Sequence, residues 1–295
     1  LCAGIFELLG CQKTPPEESK ASSETKAERP AVAVAPPTPP VRAVEAPLTR
    51  TASHFRANVL DEPPDPGQTT NRPPDVTCTN KSVARIFEAV AGSDGKPGLW
   101  DQVAFTDGKG RKIKHFATLK TEQGDIRIEL LPDAAPNHVR NFVALARAGY
   151  YDGLPFHKST REEVAGKTRG YLEAGCPKGT GEFGMGSVGY WLKPEIKDDV
   201  PHVDGSVGAW SSKDPQTGQD LANAACKFYI SLGDPAGRDG NYTVFGKIVQ
   251  GLDLAHTINR TIIREEDILA GNARPILIRQ VVIEEVLDAN LVAVK

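Results

Sequence analysis

The sequence predicts a mainly β protein: a closed eight-stranded antiparallel barrel capped by two helices, after a short helical extension and a disordered N-terminal region. Three observations lead there. Short runs rich in β-branched and aromatic residues, such as HFATLKT, DIRIELL and YTVFGKIV, recur between Gly/Pro loops. Among them PNHVRNFVALARAG and LDLAHTINR carry a helical apolar period, as VARIFEAVAG does ahead of them through Val83, Ile86, Phe87 and Val90. The chain before about Asp75 shows neither period and is dominated by Pro, Ala, Glu, Ser and Thr.

The 295 residues, 39% hydrophobic and 25% charged, can bury a sizeable core. A formal charge of −3 with no basic stripe argues against a nucleic-acid partner. No apolar run reaches the roughly 18 residues of a membrane span. Cys2, Cys11, Cys78, Cys176 and Cys226 form no CxxC, so no zinc site is expected. Asp239-Gly240 fails as a calcium loop because Pro235 and Gly237 stand where oxygen ligands are needed. No metal and no cofactor are predicted.

Residues 1–11, LCAGIFELLGC, read as the end of a truncated leader. Leu8-Leu9-Gly10-Cys11 resembles a bacterial lipoprotein box, with Cys11 as the acylated residue. That predicts a membrane-anchored lipoprotein on the periplasmic side of the cell envelope, the alternative being a cytoplasmic protein. Residues 12–76 form a Pro-rich linker too poor in apolar groups to offset its ordering entropy. As a coil of ~60 residues it spans roughly 40 Å. The linker is read as a tether rather than as a ligand for other domains.

Folding is expected from Thr77. Asn80-Lys81-Ser82 caps an amphipathic helix through VARIFEAVAG, and LWDQVAFTDGKGRKI follows as strand and turn. Residues 77–113 are too few for a core of their own and are read as an extension of the main domain, 114–288. Within that domain HFATLKT and DIRIELL alternate across Glu122-Gln123-Gly124 as a hairpin. Pro136 opens a helix that buries Val139, Phe142, Val143 and Ala146 and stops at Gly149. The strands GLPFHK, GYLEAG, GSVGAW, KFYISL and YTVFGKIV come next, then the helix LDLAHTINR and the strand RQVVIEEVL, with 289–295 as a tail.

From about His115 to Val286 this order resembles a cyclophilin, the β-barrel family of peptidyl-prolyl cis–trans isomerases. The most specific pieces are DIRIELLPDAAPNHVRNFVALARAGYYDGLPFHK, FYISLGD and DGNYTVFGKIVQGLDLAHTI. The resemblance implies rotation about X–Pro bonds of other polypeptides. The peptide barrier of ~18–20 kcal/mol comes from amide resonance, and X–Pro exchange is slow although both isomers are accessible. Easing rotation calls for an apolar notch for the ring, hydrogen bonds to the backbone, and a donor near the prolyl nitrogen.

The family's Phe-His-Arg motif is Phe156-His157-Lys158 here, so Lys158 takes the donor's place without the planar fork of Arg. Tyr229, in Lys227-Phe228-Tyr229, is implied as the aromatic floor, with Phe228 alternating into the barrel. Tyr171 and Leu172 are implied as pocket wall, while Ala174 stands where the family has a backbone-binding Gln. Gly237-Arg238 replaces Trp-Leu, and Tyr242 stands where members carry His or Tyr. Lys227, Arg238 and Tyr242 complete the substrate-binding set, and the losses at Lys158, Ala174 and Gly237 imply weakened activity. Loops 184–196 and 211–225 depart from the family pattern and are expected to reset peptide preference. His115, His138, His202 and His256 show no ligand spacing. Cys176 and Cys226 flank pocket-forming strands and are read either as a bracing disulfide or as two buried thiols. The reading is a monomeric envelope isomerase; its rival is a peptide-holding chaperone or scaffold that does not accelerate rotation.

Overall fold

The computed structural model describes residues 69–73, 88–177, 179, 181, 188–213, 220–235, 237–261, 266–267, 270–272 and 274–292. Cys11, nearly all of the linker and the cap at Asn80–Ser82 lie outside them. Thr69–Thr70 (β1) is an outlying strand of the main sheet, while Gly92–Ser93 (β2) and Lys96–Pro97 (β3) form a small separate pair. The expected strand in LWDQVAF is not one. Residues 99–102 turn back on the segment before them, with Leu99 N–H to Ala89 O at 2.9 Å and Trp100 N–H to Val90 O at 3.0 Å. The turn drives Trp100 and Val103 into the core with Val90, so burial rather than pairing holds this stretch.

Extended chain starts at Arg111. Arg111–Thr121 (β4) buries His115, Ala117, Leu119 and Thr121 on one face, and Gly124–Leu130 (β5) buries Ile126, Ile128 and Leu130. Their turn is tied by Thr121 Oγ1, which donates to Gly124 O at 2.7 Å and accepts from Gln123 N–H at 3.1 Å. Pro136–Arg147 (α1) follows, with proline at its start and no capping side chain of its own. The cap comes from 57 residues away. The Glu195 carboxylate accepts the backbone N–H of Asn137 and of His138, the latter at 3.0 Å, and meets His138 Nδ1 at 2.7 Å. Burial alone would raise Glu195, but the bond and charge of His138 and these two N–H groups hold its carboxyl below the ordinary value.

Leu154–Val164 (β6) and Lys167–Ala174 (β7) make a longer hairpin than GLPFHK and GYLEAG suggested. Ala165 and Gly166, both at positive φ, form its two-residue turn, a geometry whose twist suits paired strands. Trp191–Leu192 (β8), Ser206–Lys213 (β9), Asp220–Gly233 (β10) and Val244–Gln250 (β11) come next, then Leu252–Arg260 (α2) and Leu277–Val292 (β12). β12 runs past residue 288, so the expected tail is in part strand, drawn along β4 as far as the Val292–Arg111 pair.

The pairing order β10-β7-β6-β12-β4-β5-β11-β9 returns from β9 to β10, while β8 and β1 extend off β10. Every pairing in this sheet is antiparallel except β1 with β8. One core cluster lies against α1, where Phe142 stacks on Tyr151 at 4.9 Å and meets Phe228 and Phe245 at 5.5 Å each.

Where α1 returns to β6, Asp152 Oδ1 accepts the Val281 N–H of β12 at 3.2 Å. Burial raises this carboxyl to about 6, against the opposing effect of that bond. A carboxyl raised in the folded state favours folding while protonated, and that contribution is lost as pH rises through about 6. Asp152→Asn is therefore expected to gain melting temperature relative to wild type at pH 7 and to lose that advantage at pH 4, read by thermal denaturation.

Candidate functional site

Strand register assembles the site. Lys158 on β6 pairs with Glu173 on β7, Glu173 with Tyr229 on β10, and Tyr229 with Gly208 on β9. Directly paired residues share a face, so these four form one row on the face opposite the core. Residues two positions away join them, Tyr171 on β7 and Lys227 on β10. The alternate residues Leu172, Ala174 and Phe228 belong to the core cluster. Two expectations change. Leu172 is not pocket wall, because alternation turns it inward between Ser159 and Ile230. At the level where Ala174 was expected to leave a polar contact missing, the side chain facing the cleft is Glu173.

A bulge between Phe156 and Lys158 lets both keep their faces despite one extra residue, His157. His157 is fully buried, and neither ring nitrogen finds a hydrogen-bond partner among the described residues. Burial, with Lys227 and then Lys158 adding to it, drives its pKa down to about 3. It stays neutral beside two lysines.

The end of the Tyr229 ring lies over Gly208. A Cβ there would stand 2.3 Å from Cζ and Oη of the ring, so only glycine admits it. Tyr242 meets Tyr229 edge-on at 5.8 Å and 79°. Arg238 lies over three rings, 5.0 Å from Tyr229, 5.1 Å from Tyr171 and 5.7 Å from Tyr242. Lys158 Nζ sits 5.9 Å from the Tyr171 centroid. Tyr171, Glu173, Trp210, Ser211, Tyr229, Arg238 and Tyr242 line a cavity of about 160 Å³. Tyr171, Arg238 and Tyr242 also wall a neighbouring groove of about 480 Å³, where Gly237 leaves open space. A larger hollow of about 570 Å³ lies elsewhere, between Phe105, Leu131 and Asp288. It is edged by ordinary partly exposed ion pairs, Lys112–Asp133 and Lys114–Asp288, and contains none of the row.

Lys227 is buried. Its ammonium donates to Gly181 O at 2.9 Å, lies 4.2 Å from the Trp210 centroid and stands 3.7 Å from Glu173 Oε1. Cys176 and Cys226 are both buried free thiols. Burial pushes the Cys226 thiol up to about 12, Tyr150 opposing through a hydrogen bond. Among the described residues no cluster of His, Cys, Asp or Glu could hold a metal ion. Glu173, Gly208 and Trp210 lie at the candidate cleft without having been expected there. Parity within Tyr171-Leu172-Glu173 could have found the first, while the rest depend on contacts distant in sequence.

Antiparallel strands in this order, with two helices and an aromatic, cation-rimmed notch on the outer face of one run, define a mainly β architecture. The family described as cyclophilin type peptidyl-prolyl cis-trans isomerase/CLD matches residues 116–285, and the chain belongs to it. Peptidyl-prolyl cis-trans isomerase CYP18-1 of Arabidopsis thaliana is 31% identical over 144 residues, covering 49% of this chain and 82% of that protein. A peptidyl-prolyl cis-trans isomerase of Helicobacter pylori is 34% identical over 159 residues, covering 53% and 88%. A solved cyclophilin type isomerase of Cryptosporidium parvum aligns with 23% identity and a TM-score of 0.46, over 58% of this chain and 97% of that one.

Removing one member of a buried pair strands the other. Glu173→Ala is expected to cost about 3–5 kcal/mol in urea denaturation, and the double variant Glu173→Gln/Lys227→Met is expected to recover most of it.

Proposed function

We propose that the chain is a peptidyl-prolyl cis–trans isomerase acting on X–Pro bonds of envelope or secreted polypeptides. The observation that carries this reading is the row Lys158–Glu173–Tyr229, which sets a cation and an aromatic floor on one face of three adjacent strands. Family membership supports it. We read the returning sheet as the closed eight-stranded barrel that holds this row rigid. A proline ring rests in the cavity between Tyr171, Tyr229 and Tyr242 once Arg238 swings aside from them. The Lys158 ammonium donates toward the prolyl nitrogen as its lone pair localises, lowering the barrier with no covalent step. Residues 158, 229, 171, 242, 238 and 227 carry the site, and Cys11 carries a lipid that retains the domain at the membrane as a monomer.

Lys158 brings one compact charge where a planar fork would donate in two directions. Activity is accordingly below that of an arginine-bearing site. In an NMR exchange or protease-coupled assay on an Ala-Pro peptide, Lys158→Ala and Tyr229→Ala are expected to lower kcat/KM by about 10²-fold, the scale of one lost transition-state donor. Lys158→Arg is expected to raise it. Peptide binding with no acceleration would replace the enzyme with the peptide-holding module. In fractionated cells, Cys11→Ser is expected to move the protein from the membrane to the soluble fraction.

A further inference from the structure

Tyr229 is not held by packing alone. His202, buried in the turn before β9, stacks on it at 6.2 Å and 8°, and its Nε2 lies 2.8 Å from Tyr229 Oη. Behind the imidazole, Asp239 Oδ1 lies 2.6 Å from the His202 backbone nitrogen and 3.1 Å from Nδ1. We infer that His202 and Asp239 are positioning residues for Tyr229: they fix its ring over Gly208 and turn its hydroxyl proton away from the cleft, so that Oη meets a bound peptide as an acceptor. This rests on the reading of Tyr229 as the floor of a peptide site.

The direction of the chain follows from what each group can donate. An ionised carboxylate only accepts, so the proton between Asp239 and the ring belongs to Nδ1. In a neutral imidazole Nε2 then carries the lone pair, and Tyr229 must donate to it. The backbone N–H of His202 is the main reason Asp239 sits below its usual carboxyl range, which keeps it an acceptor. Among the described residues, the ionisable or charged groups that face the imidazole are Asp239, Arg238 and Tyr242 from the loop after β10, and Tyr229 from β10 itself. Burial holds His202 below its ordinary value and Arg238 pushes the same way, while Asp239 opposes them. Neutral pH therefore finds the ring uncharged. Protonation would make Nε2 a donor, reverse the bond and turn the tyrosine proton outward, exchanging an acceptor for a donor at the floor.

The sequence gives no hint of this arrangement, since His202, Tyr229 and Asp239 come from three separate segments. The test has two independent readouts on the full chain. Nitrogen-15 NMR of the histidine rings is expected to show the Nδ1–H tautomer for His202 at pH 7 and a protonation midpoint below that of free histidine. Asp239→Asn is expected to move the midpoint lower still, because the charged form loses its carboxylate. In Ala-Pro peptide exchange, Tyr229→Phe keeps the ring and loses Oη. It is expected to lower kcat/KM roughly 3- to 10-fold, mainly through KM, the scale of one hydrogen bond. Wild-type kcat/KM is expected to fall as pH drops through the His202 midpoint, and the Tyr229→Phe profile to stay flat there. His202→Ala is expected to resemble Tyr229→Phe, with the double variant no worse than either. Should His202→Ala not fold, Tyr229→Phe carries the comparison alone. An Nε2–H tautomer overturns the inference, as does a Tyr229→Phe variant with wild-type kcat/KM and pH profile. If the chain binds peptide without isomerising it, the isomerase reading fails alone. The peptide Kd then shows the same Tyr229→Phe and pH pattern if the positioning role holds, and overturns it if it does not.

Discussion

The cleft depends on one steric contact, the Tyr229 ring laid across the backbone of Gly208. A side chain on β9 at that point would lift the ring, and the edge contact with Tyr242 would go with it. With the end of the ring over Gly208, the aromatic residue reaches across β9 and serves as a floor. Tyr171, Tyr242 and Trp210 can then act as walls around it, enclosing a small volume that suits a ring rather than a long side chain.

The electrostatics are arranged around that floor at some cost. Glu173 and Lys227 are charges taken almost completely out of water, and such pairs do not by themselves stabilise a fold. Their worth lies in geometry. The pair fills the space beside Tyr229, with Trp210 over the ammonium, and leaves Lys158, half-buried at the other end of the row, as the cation nearer solvent. His157, forced neutral between the two lysines, adds bulk at the bulge without adding charge.

The fold was legible because its signals are local. Alternation in β4 and β5, the proline-started α1 and the apolar stripe of α2 are each written within a dozen residues. Local pattern is overridden where tertiary contacts decide: Trp100 is anchored by a turn, and β12 is extended by β4 rather than by its own composition. At the site, resemblance pointed to Tyr229 and Lys158, which the register sets in one row, and the inward face of Phe228 was legible through parity. Leu172 falls on the wrong face for a wall because a motif match specifies residue type and not strand parity. Glu173 went unnoticed for the same reason. His202 and Gly208 were beyond reach, since each matters only through a side chain more than twenty residues away.

The Glu195 carboxylate seated on the first turn of α1 ties the 188–200 segment to that helix. A helix whose opening amides have no cap nearby in sequence stays frayed until the 188–200 segment docks. The aromatic packing of Phe142 and the ordering of that segment should thus be won or lost together as one cooperative unit. Amide exchange at Asn137 and His138 becomes a reporter of whether that segment is seated, even though neither residue touches the cleft.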